Sequence, residues 1–337
     1  KGRIWSAVLI ATASGCTEMS ETESRDVEIV LEKAVPPTRA ADPDEELVSD
    51  LAIMIFGSDG TAEEQICMSA EALAGKESLR FATRLLKGKT YRIYAWANTG
   101  QQLKAGTLDE LKDLKVHLAY PDEYREGIPM AGHIESIRID DRTSEIRIPL
   151  ERLMSKISLR IDRGGLSDNT SMNVVYARIG NCPKSAYLFQ DNRLTDKDGS
   201  FAAGFSRNEL ECSVLNSNTG NGISGELSLY MLENMQGRFS EGEISDDDSK
   251  IFSGNDSRKD VCSYVELGLD YISPVMYSDS RPLIYRFYLG NDRNNLDVER
   301  NCHYRITVIP EDDGLSYDSW RVDKSGLKER SGGVSSG

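Results

Sequence analysis

Apolar residues recur at every second position wherever the chain carries a pattern. Val27, Ile29 and Leu31 alternate with Glu28 and Glu32. Leu51, Ile53 and Ile55 share one face, and Met54 and Phe56 take the other. Tyr91, Ile93, Ala95 and Ala97 interleave with Arg92, Tyr94 and Trp96. Ile146, Ile148 and Leu150 follow, then Ile157, Leu159 and Ile161 against Ser158, Arg160 and Asp162. The rhythm returns in Leu227/Leu229/Met231, Val265/Leu267/Leu269, Leu283/Tyr285/Phe287/Leu289 and Cys302/Tyr304/Ile306/Val308. A period of two sets successive side chains on opposite faces of extended backbone, which predicts half-buried strands. Clusters of Gly, Asn, Asp and Ser separate the runs, as in antiparallel sandwiches.

Helix signals are sparse. Thr107-Leu108-Asp109-Glu110 is a capping box and predicts a short helix to Leu114. Four connections are long: Gly164 to Thr170, Asn181 to Asn208, Asn216 to Gly225 and Ser240 to Lys259. Loops of that length carry function or stay unstructured. A boundary is expected near Arg142–Arg152, where two strand-like runs flank Pro149. This divides the chain into sandwiches over residues 26–149 and 150–322, with a Gly/Ser/Lys-rich tail over 323–337.

A length of 337 residues allows two such units, each with its own core. The formal net charge of −15 excludes nucleic acid as a partner, because that affinity rests on Lys and Arg against phosphate. It also excludes a polybasic hold on anionic lipid. No apolar run reaches the roughly 18 residues of a membrane-spanning helix. The longest, Ile4 to Ala13, follows Lys1 and Arg3 and reads as a secretory leader over residues 1–15. Ala13-Ser14-Gly15-Cys16 then resembles a bacterial lipobox, which implies cleavage before Cys16 and a lipid on its sulfur. Residues 16–25 are polar, as a tether beyond a lipid should be.

The remaining cysteines are Cys67, Cys182, Cys212, Cys262 and Cys302. If the four later ones pair among themselves, three pairings are open; buried thiols acting as small apolar groups are the other reading. No CxxC is present, so zinc-ribbon and thioredoxin chemistry are not expected.

Nothing local reads as catalytic, and no cofactor or metal is called for. His117, His133 and His303 sit in no metal-ligand spacing and read as surface or sheet histidines. Gly220-Asn221-Gly222-Ile223-Ser224-Gly225 fits GxGxxG, yet alternation from Glu226 to Met231 makes it a hairpin loop. Gly88-Lys89-Thr90 lacks the upstream glycine of a phosphate loop, Thr83 standing there. Asp246-Asp247-Asp248 lacks the order of a calcium loop and reads as a solvated acidic run.

The order of larger segments is more informative. A strand over Asp26–Lys33 is followed by Pro36-Pro37-Thr38-Arg39-Ala40 and an acidic linker. Glu46 to Phe56 is then a hydrophobic strand ending in an aromatic residue. Ile128-Pro129-Met130-Ala131-Gly132, Leu150 to Leu159, Tyr230 to Gly237, Arg286 to Asn291 and Val298 to Val308 follow in sequence. Together these resemble the fimbrillins of Bacteroidales, pilus subunits made as lipoproteins, over roughly residues 16–320.

That resemblance implies an all-β fold of two tandem transthyretin-like antiparallel β-sandwiches. It implies processing after Arg39, with Ala40 as the new terminus, and Val27, Ile29 and Leu31 on the strand released. It places the chain at the cell surface and outer membrane, held through lipid on Cys16 and joined to other fimbrial subunits in a fimbrium. Adhesion to a host or bacterial surface ligand is the implied service. Tyr317 to Val322 is a short, polar donor strand, which favours an anchor, tip or accessory subunit over a stalk subunit. The alternative is a surface lipoprotein that binds glycans without polymerising, with Trp96 or Trp320 stacking on sugar. A hydrolase using two carboxylates is a third reading, and the sequence nominates no pair.

Overall fold

Ile, Val, Tyr and Phe in short alternating runs fit a pleated, half-covered surface better than a helix, and strands dominate the protein. The computed structural model describes residues 23–32, 45, 47–73, 79–118, 124, 127–195, 201–202, 206–218, 222–240, 252, 256–274, 277–292, 294–312 and 320–326. β1 (Ser24–Glu32), β2 (Leu51–Gly57), β3 (Ala62–Met68), β4 (Leu79–Leu86) and β5 (Thr90–Ala97) come first. β6 (Lys115–His117), β7 (Met130–Arg138), β8 (Glu145–Pro149) and β9 (Glu151–Arg152) follow. Next are β10 (Met154–Ile161), β11 (Ser171–Gly180), β12 (Cys182–Pro183), β13 (Ser185–Tyr187), β14 (Phe201–Ala202), β15 (Ser206–Arg207) and β16 (Leu227–Leu232). β17 (Tyr264–Ser273), β18 (Tyr277–Tyr288), β19 (Cys302–Val308) and β20 (Trp320–Gly326) complete the order.

The expected short helix is α2 (Leu108–Lys112), set between α1 (Ala70–Leu73) and α3 (Ser213–Asn216). Thr107 caps α2 by accepting from the Glu110 amide, and the Glu110 carboxylate reaches back to accept from Gly106 N at 2.7 Å.

The first sandwich sets the sheet β4-β1-β8 against β3-β2-β5-β7-β9. Val27, Ile29 and Leu31 meet Leu51, Ile53, Ile55, Tyr91 and Ile93 in one core. The second sets β16-β10-β19-β20 against β15-β11-β17-β18, with Ile157, Leu159, Ile161, Tyr304 and Ile306 facing Val265, Leu267 and Leu269. The sandwiches are therefore built as the alternation predicts.

Their sheets are not purely antiparallel. β1 runs parallel to β8, and β10 runs parallel to β19. Each sandwich thus opens with a strand flanked by an antiparallel and a parallel neighbour: β4 and β8 about β1, β16 and β19 about β10. In both cases the parallel partner comes late in its unit, after a long excursion through the facing sheet, which satisfies the connection length that parallel strands need.

Three further differences from expectation have plain physical reasons. The stretch Asn181–Asn208 contains β12 to β15, and β13 pairs with β6, tying the two halves of the chain together. β2 is buried on both faces because Met54, Phe56, Tyr94 and Trp96, which point away from the first core, are covered by second-half residues including Phe189. β20 pairs with β19 as far as Gly326, so residues 323–326 form strand where the composition predicts a tail; ladder bonds need no apolar alternation. Among the described residues, no helix is long and apolar enough to cross a membrane.

Candidate functional site

β1 is the middle strand of its sheet. On one side it pairs antiparallel with β4 through Val27↔Thr83, Ile29↔Phe81 and Leu31↔Leu79. On the other it pairs parallel with β8 through Ile29↔Ile146 and Leu31↔Ile148. Val27, Ile29 and Leu31 are 2%, 0% and 4% exposed. At that burial each side chain contributes about 1.5–3 kcal/mol of apolar transfer.

The opposite face of the strand carries charge. Arg80 bridges Glu28 at 2.7 Å and Glu145 at 3.0 Å, Arg84 meets Asp26 at 2.8 Å, and Arg147 meets Glu32 at 2.8 Å. The Arg84 guanidinium, bonded to Asp26, holds that carboxyl below its usual range. These pairs are open to water, so register and apolar burial, rather than ion pairs, hold β1 in place. Taking β1 away would leave two facing unpaired edges, on β4 and β8, above an apolar floor. Alternation alone points to a single edge; the parallel β8 supplies the second.

Arg39, Ala40 and Cys16 lie outside the described residues. The chain re-enters at Glu45, which is 5% exposed. Its carboxylate accepts from Lys156 Nζ at 2.7 Å and Tyr230 OH at 2.6 Å, and its carbonyl accepts from Arg152 Nη2 at 3.0 Å. Burial pushes the Glu45 carboxyl up, but the bonds from Lys156 and Tyr230 and the charges of Lys156 and Arg152 outweigh it, leaving a lowered pKa. Sequence reasoning missed this knot, because a lone Glu in an acidic linker carries no pattern.

His303 lies beside it, around a cavity of about 20 Å³ that also touches Ile128, Asn301 and Cys302. That volume holds about one water. His303 is 2% exposed, unlike the exposed His117 and His133. Ser158 Oγ donates to Glu226 Oε1 at 2.9 Å and lies 2.8 Å from His303 Nε2. A hydroxyl has one proton, so the imidazole donates through Nε2. Its Nδ1 is buried without a partner. Nucleophile activation needs the reverse order, with serine donating to histidine and an acid on the far nitrogen. This cluster does not supply it.

Burial, with Arg305 and Lys156 nearby, pushes the His303 pKa down from 6.5 to about 4. Between those values the unfolded chain binds a proton that the folded one refuses, so stability is full above pH 6.5 and falls on acidification toward pH 4. The loss should approach about 3 kcal/mol. Urea unfolding across that range should show the slope in the native protein and a flatter one in His303→Gln. Equal slopes would place the titration elsewhere.

Residues 26–148 match the family model of the major fimbrial subunit protein, FimA. The matched span begins on β1 and runs through β7 into β8, and it holds β1 together with both of its neighbours.

Over that span the chain is similar to the fimbrillins.

Residues 229–308 match a second model, a domain of unknown function, DUF4906. No curated protein matches the sequence. Solved structures share its fold. The tip fimbrial protein Mfa3 of Porphyromonas gingivalis, with a C-terminal truncation, aligns at a TM-score of 0.55 and 16% identity over 89% of this chain and 99% of that one. A fimbrilin (fimA) of Porphyromonas gingivalis W83 aligns at 0.53 and 12% identity, over 89% and 96%. A fimbrial assembly protein of Parabacteroides distasonis aligns at 0.50 and 14% identity, over 90% and 99%.

The fold also accounts for the other residues that the sequence singles out. Trp96 is 1% exposed and packs near Phe189, 6.3 Å between ring centroids, so it offers no face to a sugar; the side chain of Trp320 lies outside the described part. Cys67, Cys182, Cys212, Cys262 and Cys302 hold thiols, not disulfides. Burial pushes the Cys212 thiol up to about 11, which makes it unreactive at neutral pH. Gly88, at φ +76°, turns the connection from β4 to β5 rather than cradling phosphate. Among the described residues no His/Cys/Asp/Glu group could hold a metal. Asp246–Asp248 lie outside them.

Proposed function

We propose that this protein is a fimbrial subunit that assembles by exchanging β1 for a strand of another subunit, and that it serves adhesion at the cell surface. The observation that carries the reading is the central place of β1: its departure opens a slot bounded by backbone donors and acceptors on both sides, a template for a foreign strand. An Arg-specific protease cutting after Arg39 would free Val27, Ile29 and Leu31 and leave Ala40 as the terminus. The Glu45 knot then keeps the shortened chain docked, five residues further on. Before the cut, a lipid on Cys16, exposed once a leader over residues 1–15 is removed, tethers the precursor to the outer membrane. The role is structural rather than enzymatic.

The subunit receives a strand better than it gives one. β1 brings Val27, Ile29, Val30 and Leu31, whereas β20 brings only Trp320 and Val322 to a comparable length. An anchor, tip or accessory position at one end of the filament fits that imbalance. Mass spectrometry of the N-terminus of protein taken from the native envelope tests the reading. A terminus at Ala40 is expected. Protein that keeps an acylated Cys16 throughout would mean β1 is never released, and the exchange mechanism would be abandoned.

A further inference from the structure

The solvent face of the sheet β15-β11-β17-β18 carries a second, unrelated arrangement. Cross-strand register lines up three rows on it: Tyr176, Gly268 and Ile284; Arg178, Glu266 and Arg286; Gly180, Tyr264 and Tyr288. The glycines make room for flat rings. A Cβ on Gly268 would stand 2.0 Å from the Tyr176 ring, and one on Gly180 would stand 2.1 Å from the Tyr264 ring. Glycine within a strand weakens the ladder and marks a close approach, here by an aromatic ring laid across it.

Between the two aromatic rows sits a charge excess. Glu266, whose side chain is 1% exposed, accepts from Arg286 Nε at 2.6 Å and Tyr176 OH at 2.9 Å, and pairs with Arg178 Nη2 at 2.6 Å. One carboxylate therefore serves two guanidinium groups, whose side chains are 35% and 52% exposed. The guanidinium carbons lie 5.9 Å from the Tyr176 ring centre and 5.0 Å from that of Tyr264. Arg178 Nε has no acceptor, so turning that guanidinium toward a ligand gives up nothing there. Ile284 adds apolar surface at 64% exposure. Asp270, the next acid along β17 on this face, is two rows from Glu266, about 13 Å away. A surplus cation amid flat aromatic and aliphatic surface, on a chain of net charge −15, is the complement of an anionic ring with an apolar face.

We propose that this sheet face binds a carboxylate-bearing saccharide, a uronic or sialic acid unit. The sugar carboxylate accepts hydrogen bonds from Arg286 and Arg178, and the C–H face of the pyranose lies against Ile284 and the Tyr176 ring. A flat face without a groove suits a ring, and the hexaglutamate arm of the test separates it from an extended acidic peptide laid along the edge strand β18. The site is independent of β1 and of any strand exchange.

The test titrates the intact protein with trigalacturonate, its methyl ester, sialyllactose, lactose and hexaglutamate, read by chemical-shift changes. Binding of trigalacturonate or sialyllactose is expected, and which of them binds identifies the source. The neutral counterparts should bind about tenfold more weakly, as loss of a charge-assisted bond predicts. Ile284→Glu, at an exposed position that leaves folding alone, should weaken the acid sugar by a similar factor. So should Arg286→Gln, which leaves Glu266 paired with Arg178 and removes the surplus cation. The proposal is overturned if neither acid sugar binds, if the methyl ester binds equally, if hexaglutamate binds as tightly, or if Ile284→Glu changes nothing.

Discussion

An aspartate in place of Ile29 should drive β1 out of its slot without any cut in the chain. Ile29 is fully buried between its register partners Phe81 on β4 and Ile146 on β8, and its surroundings are the apolar core of the first sandwich. An unpaired carboxylate there costs several kcal/mol even after relaxation, on top of the isoleucine's own burial. Among the described residues the cations beside β1, Arg80, Arg84 and Arg147, pair with carboxylates on the water side of the sheet and do not compensate. Hydrogen exchange should show the amides of β4 and β8 losing protection while those of β10 and β19 keep theirs. Glu28→Gln, one residue away on the wet face, should stay within about 0.5 kcal/mol of the native protein. Unchanged protection in Ile29→Asp would mean that β1 is not what fills the slot.

Removing the Glu45 carboxylate should have a comparable effect at the other end of the linker. In Glu45→Ala the Lys156 ammonium, at 14% exposure, keeps its burial and loses its counter-charge, and Tyr230 OH loses its acceptor. Breaking one side of a buried pair costs about 3–5 kcal/mol, whereas replacing both partners by apolar groups of similar size is often neutral. Urea midpoints should therefore fall in Glu45→Ala and recover in Glu45→Met combined with Lys156→Met. Because the Glu45 carboxyl is held below its usual value, its contribution is present above the unfolded pKa of about 4.3 and fades only as pH falls through the folded one. A single-variant loss under about 1 kcal/mol would show that water reaches the pair.

Much of the fold is legible in the chain, and the reasons for the rest are specific. Period-two alternation marks Val27/Ile29/Leu31 and Ile157/Leu159/Ile161 as core strands because burial on one face leaves that signature. It says nothing about which strand lies beside which, so the parallel partners β8 and β19, distant in sequence, leave no trace in it. Trp96 and His303 stand at outward positions by the same alternation, yet both are buried because other segments cover those faces. The three-residue ladder of β6 with β13 is too short to leave any period at all. Glu266 is one acid among many until register sets it between two arginines.

The parallel pairing of β1 with β8 fixes a direction. A strand that replaces β1 and keeps both ladders must travel the way β1 travels, since reversing it would exchange the parallel and antiparallel patterns on β8 and β4. Subunits linked through this slot therefore all face the same way. Under the proposed exchange such a junction would be head-to-tail and lack a two-fold axis, which leads to an open polymer instead of a closed pair. A filament of this kind has two unlike ends, and growth at one end is a different reaction from growth at the other.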